Sequence, residues 1–381
     1  MTETAPIGII GGGLAGLAAA LTAARRGRKV TLWESSAIGR DKVCGEFLSP
    51  EVHVDMEALG CGDWLDALAP APMRTVALLG PRGARVELQI PGAPAQSVTR
   101  AALEGYLADH ARREGVTIID RAPVRSIEPL RGGLSRVCAT KHEEVVRGTV
   151  MAFGKRSTLD SAFALPRAQS KEGFVALKAY LAKPEAALDT DVELYVMRGG
   201  YVGLNRVEDG RIGVCALFEG GNEPSYPALL KRAEELPQLA RRLASLGEPL
   251  GLVRGLARFG FGPQALARRD HATGAVTLFA GDAARLIPSF TGDGMAVALR
   301  SGRLAAEALA TPDPVRAYTR AYTRAFDVRF ALSGALHRLF FQPAAFAALA
   351  PLVGLSPRLV ERLYTLTRGA PPTHRTHISS M

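Results

Sequence analysis

Three glycines, Gly11, Gly13 and Gly16, stand at G-x-G-x-x-G spacing in "IGIIGGGLAGLAAALTAARRGRKVTLWE", and Glu34 closes the same stretch. These residue types in this order suit a dinucleotide. Gly11 permits a tight turn, Gly13 lets the backbone approach a pyrophosphate, and Gly16 lets a helix lie close to a strand. Leu14 and Ala15 open that helix, whose free N–H groups and partial positive charge address phosphates. A carboxylate roughly twenty residues on, Glu34, can accept the ribose hydroxyls. Two further groups could carry chemistry: Cys44 and Glu46 in "KVCGEFLSP", and the Gly281-Asp282 and Gly292-Asp293-Gly294-Met295 turns that flank Pro288.

The elements that position these residues follow from pattern and punctuation. Ile7 to Ile10 reads as a strand, Leu14 to about Arg26 as a helix ending at Gly27, and Val30 to Trp33 as a second strand. The same stretch is a poor membrane span or export signal. Its three consecutive glycines each cost a helix ~1 kcal/mol against Ala, and "MTETAPI" carries Glu3 and no basic residue. "SVTRAALEGYLADHARREG" is a helix with Thr99 as N-cap and Leu103, Tyr106, Leu107 and His110/Ala111 on one face. "VTIID" and "RAPVRSIEPL" read as strands, and "GTVMAFGKRSTLD" as another nucleotide-type strand and turn. "MRTVALLGPRGARVELQIPG" alternates as a hairpin. "FVALKAYLA", "DVELYVMRG", "GYVGLNRV" and "RIGVCALFE" are short strands, the last two joined at an Asp209-Gly210 hairpin turn. "AVTLFAGDAA" is a strand feeding a glycine turn, and a helix begins near Met295.

Composition narrows the classes. The chain has 381 residues, 47% of them hydrophobic, enough for a substantial core in two or so units. The net charge is +10, but the basic residues are scattered without aromatic interleaving, so no nucleic-acid partner is expected. The four cysteines and seven histidines form no metal-ligand spacing, which predicts no metal site and a reduced, cytoplasmic protein. The tail "ALHRLFFQPAAFAALAPLVGLSPRLVERL" is apolar, but Pro343, Pro351 and Pro357 divide it into short helices. It either packs over the substrate-side sheet, covers a pocket, or touches a membrane surface.

With "GIIGGGLAGLAAA…TLWE" at one end and "AVTLFAGDAA", Pro288 and "GDGMAVALRSGRLAAEAL" at the other, the chain resembles the FAD-dependent superfamily of p-hydroxybenzoate hydroxylase-like and geranylgeranyl reductase-like flavoproteins. The resemblance runs from Ile7 to about Ala310. "KVCGEFLSP" is most similar to the geranylgeranyl reductase-like branch, whose members carry Cys-Gly here. The resemblance implies FAD, with NADPH or NADH as electron donor. It implies that Asp282 accepts from a ribityl hydroxyl and Gly281 leaves room for the cofactor. Gly292 and Gly294 pack on the flavin, and the helix at Met295 faces the flavin C2 oxygen. Val124 falls at the adenine contact, and Lys42 among the cofactor residues. Arg100 either reaches the cofactor or lies on the surface. Cys44 either touches the flavin edge or is structural, and Glu46 either relays protons or flanks a helix. Tyr201 and Asn205 either line the substrate face or belong to the core.

Three departures qualify this. The hydroxylases' Asp-Gly turn is reduced to Gly154 in "MAFGKRS", Ala296 stands where Asn is common, and the halogenases' W-x-W-x-I-P motif is missing, Trp33 and Trp64 lying elsewhere.

The expected architecture is α/β. A discontinuous Rossmann-type FAD-binding domain takes 1–70, 98–160 and 267–313. An antiparallel-sheet substrate domain takes 71–97 and 161–266, followed by C-terminal helices over 314–370 and a flexible tail over 371–381. The expected function is a FAD-dependent oxidoreductase acting on an apolar, isoprenoid or polyketide-like small molecule. Oxygenation through a C4a-hydroperoxide is placed ahead of reduction of carbon–carbon double bonds, and ahead of cofactor binding without turnover. The oligomeric state is left open.

Overall fold

The computed structural model describes residues 5–166, 173–182, 188–220, 223–342, 344–348 and 357–368. The expected tail over 371–381 and the prolines at 343 and 351 lie outside the described residues.

The Ile7–Ile10 strand is flanked by Val30–Trp33 and Thr149–Met151, both parallel to it. The complete sheet runs Ala267–Arg269, Val276–Phe279, Thr149–Met151, Ile7–Ile10, Val30–Trp33 and Thr117–Ile119, antiparallel only at the Ala267–Arg269 edge. Its central strands are buried along their whole length, as expected for a parallel sheet covered on both faces. The Leu14–Ala24 and Gly294–Ala308 helices cross closely on one face. A Cβ on Gly16 would stand 1.8 Å from the Gly11 carbonyl oxygen, and one on Gly302 would stand 2.0 Å from the Ala15 carbonyl oxygen. Glycine is therefore what allows both approaches.

The second sheet has seven strands in the order Arg254–Phe259, Phe174–Leu181, Ile212–Glu219, Gly200–Arg206, Val192–Met197, Thr75–Leu79 and Arg85–Gln89. Every pair is antiparallel except Val192–Met197 with Thr75–Leu79. The "MRTVALL" hairpin thus joins this sheet, but through a parallel pair. Helices Tyr226–Ala233 and Pro237–Leu246 cover one face with Leu229, Leu239 and Leu243. The other face turns toward the parallel-sheet unit.

Two local expectations shift, and the C-terminal helices take definite bounds. The Arg100–Arg113 helix is capped by Thr99, whose Oγ1 accepts the Ala102 N–H. Its buried face, however, is Leu103, Glu104, Leu107, Ala108 and Ala111. Tyr106 and His110 lie at its margin, where the Tyr106 hydroxyl donates to Asp63 at 2.5 Å. Val124–Leu130 belongs to a separate three-stranded sheet with Leu134–Ala139 and His142–Val146, which the sequence pattern did not reveal. The C-terminal region opens with one 27-residue helix, Pro314–Phe340, which ends before Pro343, and a separate helix starts at Pro357. Tyr318, Tyr322, Phe326 and Phe330 of the long helix pack into the core of the parallel-sheet unit, and the Tyr318 hydroxyl donates to the Phe279 carbonyl. Only its last turn, at His337 and Phe341, meets the seven-stranded sheet. Among the described residues, no helix is long and apolar enough to cross a membrane.

Candidate active site

A cleft of about 670 Å³ runs from the first glycine turn, past Glu34, to the turn before the Gly294–Ala308 helix. At its first end, Gly13 precedes the Leu14–Ala24 helix without a side-chain cap, so the leading N–H groups are open. Gly11 has φ +111°, and a Cβ there would meet the Ala152 carbonyl oxygen at 2.4 Å. A Cβ on Gly13 would instead face Lys42 Nζ at 3.6 Å and Arg100 Nη2 at 3.7 Å. A helix N-terminus with two cations over a bare glycine fits a pyrophosphate.

These cations are held by one carboxylate that no sequence motif marks. Glu104 is fully buried. It accepts from Lys42 Nζ at 2.7 Å and pairs with Arg100 one helical turn back. Burial lowers the Lys42 pKa against the opposing pull of Glu104. Burial acts on Arg100 in the same direction, but Glu104 and the neighbouring Cys44 outweigh it and hold the guanidinium above its ordinary value.

Glu34 ends the second strand at 7% exposure. Its Oε2 accepts the Gly12 N–H at 2.7 Å and its Oε1 the Ser36 N–H at 3.0 Å. Oε1 also accepts the Ser35 hydroxyl at 3.2 Å, so it is Oε2 that keeps a lone pair for a further hydroxyl. Val124 lines the same end of the cleft.

The other end is made by Gly281, Asp282, Gly292, Gly294 and Met295. Gly281 and Gly292 have φ of +60° and +72°. Ser301 Oγ receives the Gly281 N–H at 2.8 Å, and a Cβ on Gly292 would strike the Phe47 ring at 2.8 Å. The Gly294–Ala308 helix also starts without a side-chain cap.

Between the ends lies the Cys44-Gly45-Glu46 turn. Glu46 takes φ +57°, a left-handed conformation costing a non-glycine residue roughly 1–2 kcal/mol. Three partners fix it in place. Its Oε1 accepts the Arg100 N–H at 3.0 Å and the Tyr180 hydroxyl. Its Oε2 stands 2.6 Å from Lys178 Nζ, an ion pair too bent to be a hydrogen bond, with both side chains fully buried. Burial, then Glu46, pushes the Tyr180 pKa up. The turn sets the Cys44 thiol against the cleft, where Sγ receives the Glu46 N–H at 3.4 Å and lies 3.4 Å from Met295 Sδ. Glu46 thereby ties the turn to the second sheet.

The floor of the cleft comes from that sheet. Ala176, Cys215, Leu217, Arg254 and Leu256 line it, and Phe259 and Phe261 close one side. Burial pushes the Cys215 thiol up to about 11. Tyr201 and Asn205 are buried nearby but stand outside the lining. The Tyr201 hydroxyl donates to Ser289 at 2.7 Å, and Asn205 Nδ2 donates to Ser97 at 2.7 Å. Gly16 also stays out, packed beneath Gly11. All the other cofactor and catalytic candidates from the sequence line the one cleft. Lys155, Arg156, Cys215 and Arg254 line it as well, unmarked by any motif. Lys178 had a readable signal: one lysine at an inward position of the apolar strand "FVALKAYL".

Among the described residues, no group of His, Cys, Asp and Glu could hold a metal ion.

Fold and site together define a class by likeness: the chain has the fold of flavin-dependent proteins, and its cleft is shaped for a dinucleotide. Residues 9–50 match the NAD(P)-binding Rossmann-like domain family. The menaquinone reductase of Mycolicibacterium smegmatis is 29% identical, over 82% of this chain and 78% of its own. Two solved structures share the fold. A flavin-dependent brominase triple mutant has a TM-score of 0.75 at 19% identity, covering 96% of this chain and 95% of its own. A geranylgeranyl bacteriochlorophyll reductase-like protein from Thermoplasma acidophilum has a TM-score of 0.73 at 18% identity, covering 95% of each chain.

Proposed function

We propose that the protein is a flavin-dependent reductase that adds hydrogen to a carbon–carbon double bond of an apolar, isoprenoid- or quinone-type small molecule. The observation that carries this is the Cys44 turn. A thiol is set 3.4 Å from Met295 Sδ, at the start of the helix expected to face the flavin, over a floor dominated by Ala176, Leu217, Leu256, Phe259 and Phe261. The similarity to a menaquinone reductase over most of both chains supports a reductive reaction on such a molecule.

Bound FAD supplies hydride chemistry. The chain's residues do the rest. Lys42, Arg100 and the first helix N-terminus hold the pyrophosphate, Glu34 the ribose, and Asp282 the ribityl chain. The apolar floor excludes water and orients the substrate. Cys44 would give its thiol proton to one carbon of the double bond, and the thiolate would regain a proton from solvent. Glu46, tied to Lys178 and Tyr180, holds the turn and does not exchange protons with substrate. With the hydroxylases' Asp missing beside Gly154, direct reduction by NADPH without substrate is expected to be slow, which leaves room for another donor.

The test is anaerobic single turnover. Enzyme reduced by dithionite should convert a menaquinone-type substrate to a product that, after its quinone ring is reoxidised in air, still carries two more hydrogens and no added oxygen. Product that forms only with O2 and carries its label would defeat the reductase reading and favour the oxygenase. Cys44→Ala should slow this step at least tenfold while FAD affinity stays the same. An unchanged rate would remove the thiol from the chemistry.

A further inference from the structure

The turn before the Gly294–Ala308 helix carries a charge that its glycines do not require. Asp293 occupies the N-cap position, yet its side chain makes no capping bond. It is fully buried, and neither carboxylate oxygen has a hydrogen-bond partner among the described residues. Its counter-charge is brought by the far end of the chain: Arg368 Nη1, on the Pro357–Arg368 helix, stands 3.1 Å from Asp293 Oδ1.

Arg368 is built into this place. It is 8% exposed, and its guanidinium lies over the rings of Phe47 at 5.1 Å and Tyr364 at 4.8 Å. It also donates to the Thr291 carbonyl, within the same turn. Its own carbonyl accepts from Arg329, which pairs with the buried Glu51 at 2.9 Å. The turn is held from a second side by Ser333, whose Oγ donates to the Pro288 carbonyl at 3.3 Å.

The electrostatic consequence is specific. The N-terminus of a helix carries about half a positive charge, and a bare carboxylate at its first turn would cancel it. In a poorly solvated site that cancellation is felt strongly. On the FAD reading, this terminus faces the part of the flavin that gains negative charge on reduction.

We propose that Arg368 is a positioning residue for the flavin. By neutralising Asp293 it keeps the helix terminus positive, raises the reduction potential of bound FAD, and couples cofactor retention to docking of the C-terminal helix. This rests on the FAD reading above.

The test uses full-length holoenzyme and two readouts, the flavin midpoint potential by dye equilibration and FAD release by fluorescence. Arg368→Met should lower the potential and speed FAD release several-fold, and Arg368→Lys should fall between it and wild type. Asp293→Asn in the Arg368→Met background should bring the potential back. A purely structural role would lower thermal stability and leave the potential unmoved, and that result would overturn the proposal. Should Arg368→Met not fold, Asp293→Asn alone should give a potential above wild type, and an unchanged value would overturn the proposal as well. A wild-type protein that binds no FAD defeats the cofactor reading and this inference with it. FAD bound at one potential across the series defeats this inference alone.

Discussion

Glu34 accepts backbone N–H groups on both oxygens and its Oε2 is still placed to take a hydroxyl, so it shapes the glycine turn and, on the proposed reading, would hold a ribose. Glu34→Ala should weaken FAD binding by ~1.5–3 kcal/mol, the scale of hydrogen bonds to a charged group. Fluorescence titration measures this, and unaltered affinity would place the ribose elsewhere. The Glu46–Lys178 pair makes a contrasting case, since both groups are fully buried and each is costly without the other. Lys178→Met should destabilise by ~3–5 kcal/mol because it leaves a buried carboxylate without its counter-charge. Adding Glu46→Gln should recover much of that loss in chemical denaturation. A double variant as unstable as the single one would show that packing, not charge, sets the cost. The two glutamates differ in legibility. Glu34 was readable because its spacing from the glycines is local. Glu46 could be noticed, but Lys178 and Tyr180 reach it only through the tertiary fold.

At the scale of elements, the cofactor cleft depends on two helices that nearly touch. Gly302, on the helix after the second glycine turn, sits against the Ala15 carbonyl at a distance no methyl group tolerates. Gly302→Ala should therefore destabilise by ~1–3 kcal/mol, as overpacking does, and should also weaken FAD binding. Gly334 supplies the control. It lies inside the Pro314–Phe340 helix, and a methyl group there would meet nothing within 4 Å, so Gly334→Ala should stabilise by ~0.5–1 kcal/mol. Thermal melts of the two variants should move in opposite directions; a common direction would show that helix propensity, not the crossing, governs Gly302. The first glycine fingerprint was legible because turn, helix and strand follow one another directly. The three-stranded sheet from Val124 to Val146 was not, because its strands alternate weakly and carry many charged residues.

At the scale of the whole molecule, the end of the Pro314–Phe340 helix closes the aromatic cluster where the parallel-sheet unit meets the seven-stranded sheet. His337 is buried there against Phe341, Phe261 and Phe174, at ring distances of 4.0, 5.1 and 5.5 Å. Burial lowers its pKa to about 4, against an ordinary 6.5. Between those values the folded state binds fewer protons than the unfolded one. The stability due to the neutral ring is therefore complete above about pH 6.5 and is lost as pH falls toward 4, at most about 1.4 kcal/mol per pH unit. Denaturant titrations across this window should show that slope, and His337→Phe should flatten it. The same slope in the variant would assign the titration to another group.

The sequence by itself pointed to a dinucleotide cofactor and determined the class of fold. G-x-G-x-x-G, Glu34 and the Gly281-Asp282 turn are short-range patterns whose chemistry is complete within a strand, a turn and a helix. It also singled out Cys44 and Glu46, through the resemblance of "KVCGEFLSP" to the reductase-like branch. Only the tertiary structure decided what surrounds them. Glu104 beneath Lys42 and Arg100, Lys178 and Tyr180 on Glu46, Arg368 on Asp293, and the exclusion of Tyr201 and Asn205 from the cleft lining all depend on which elements pack together. The reason is physical. A buried charge is tolerated only with a partner in space, and chain position alone does not say which residue that will be.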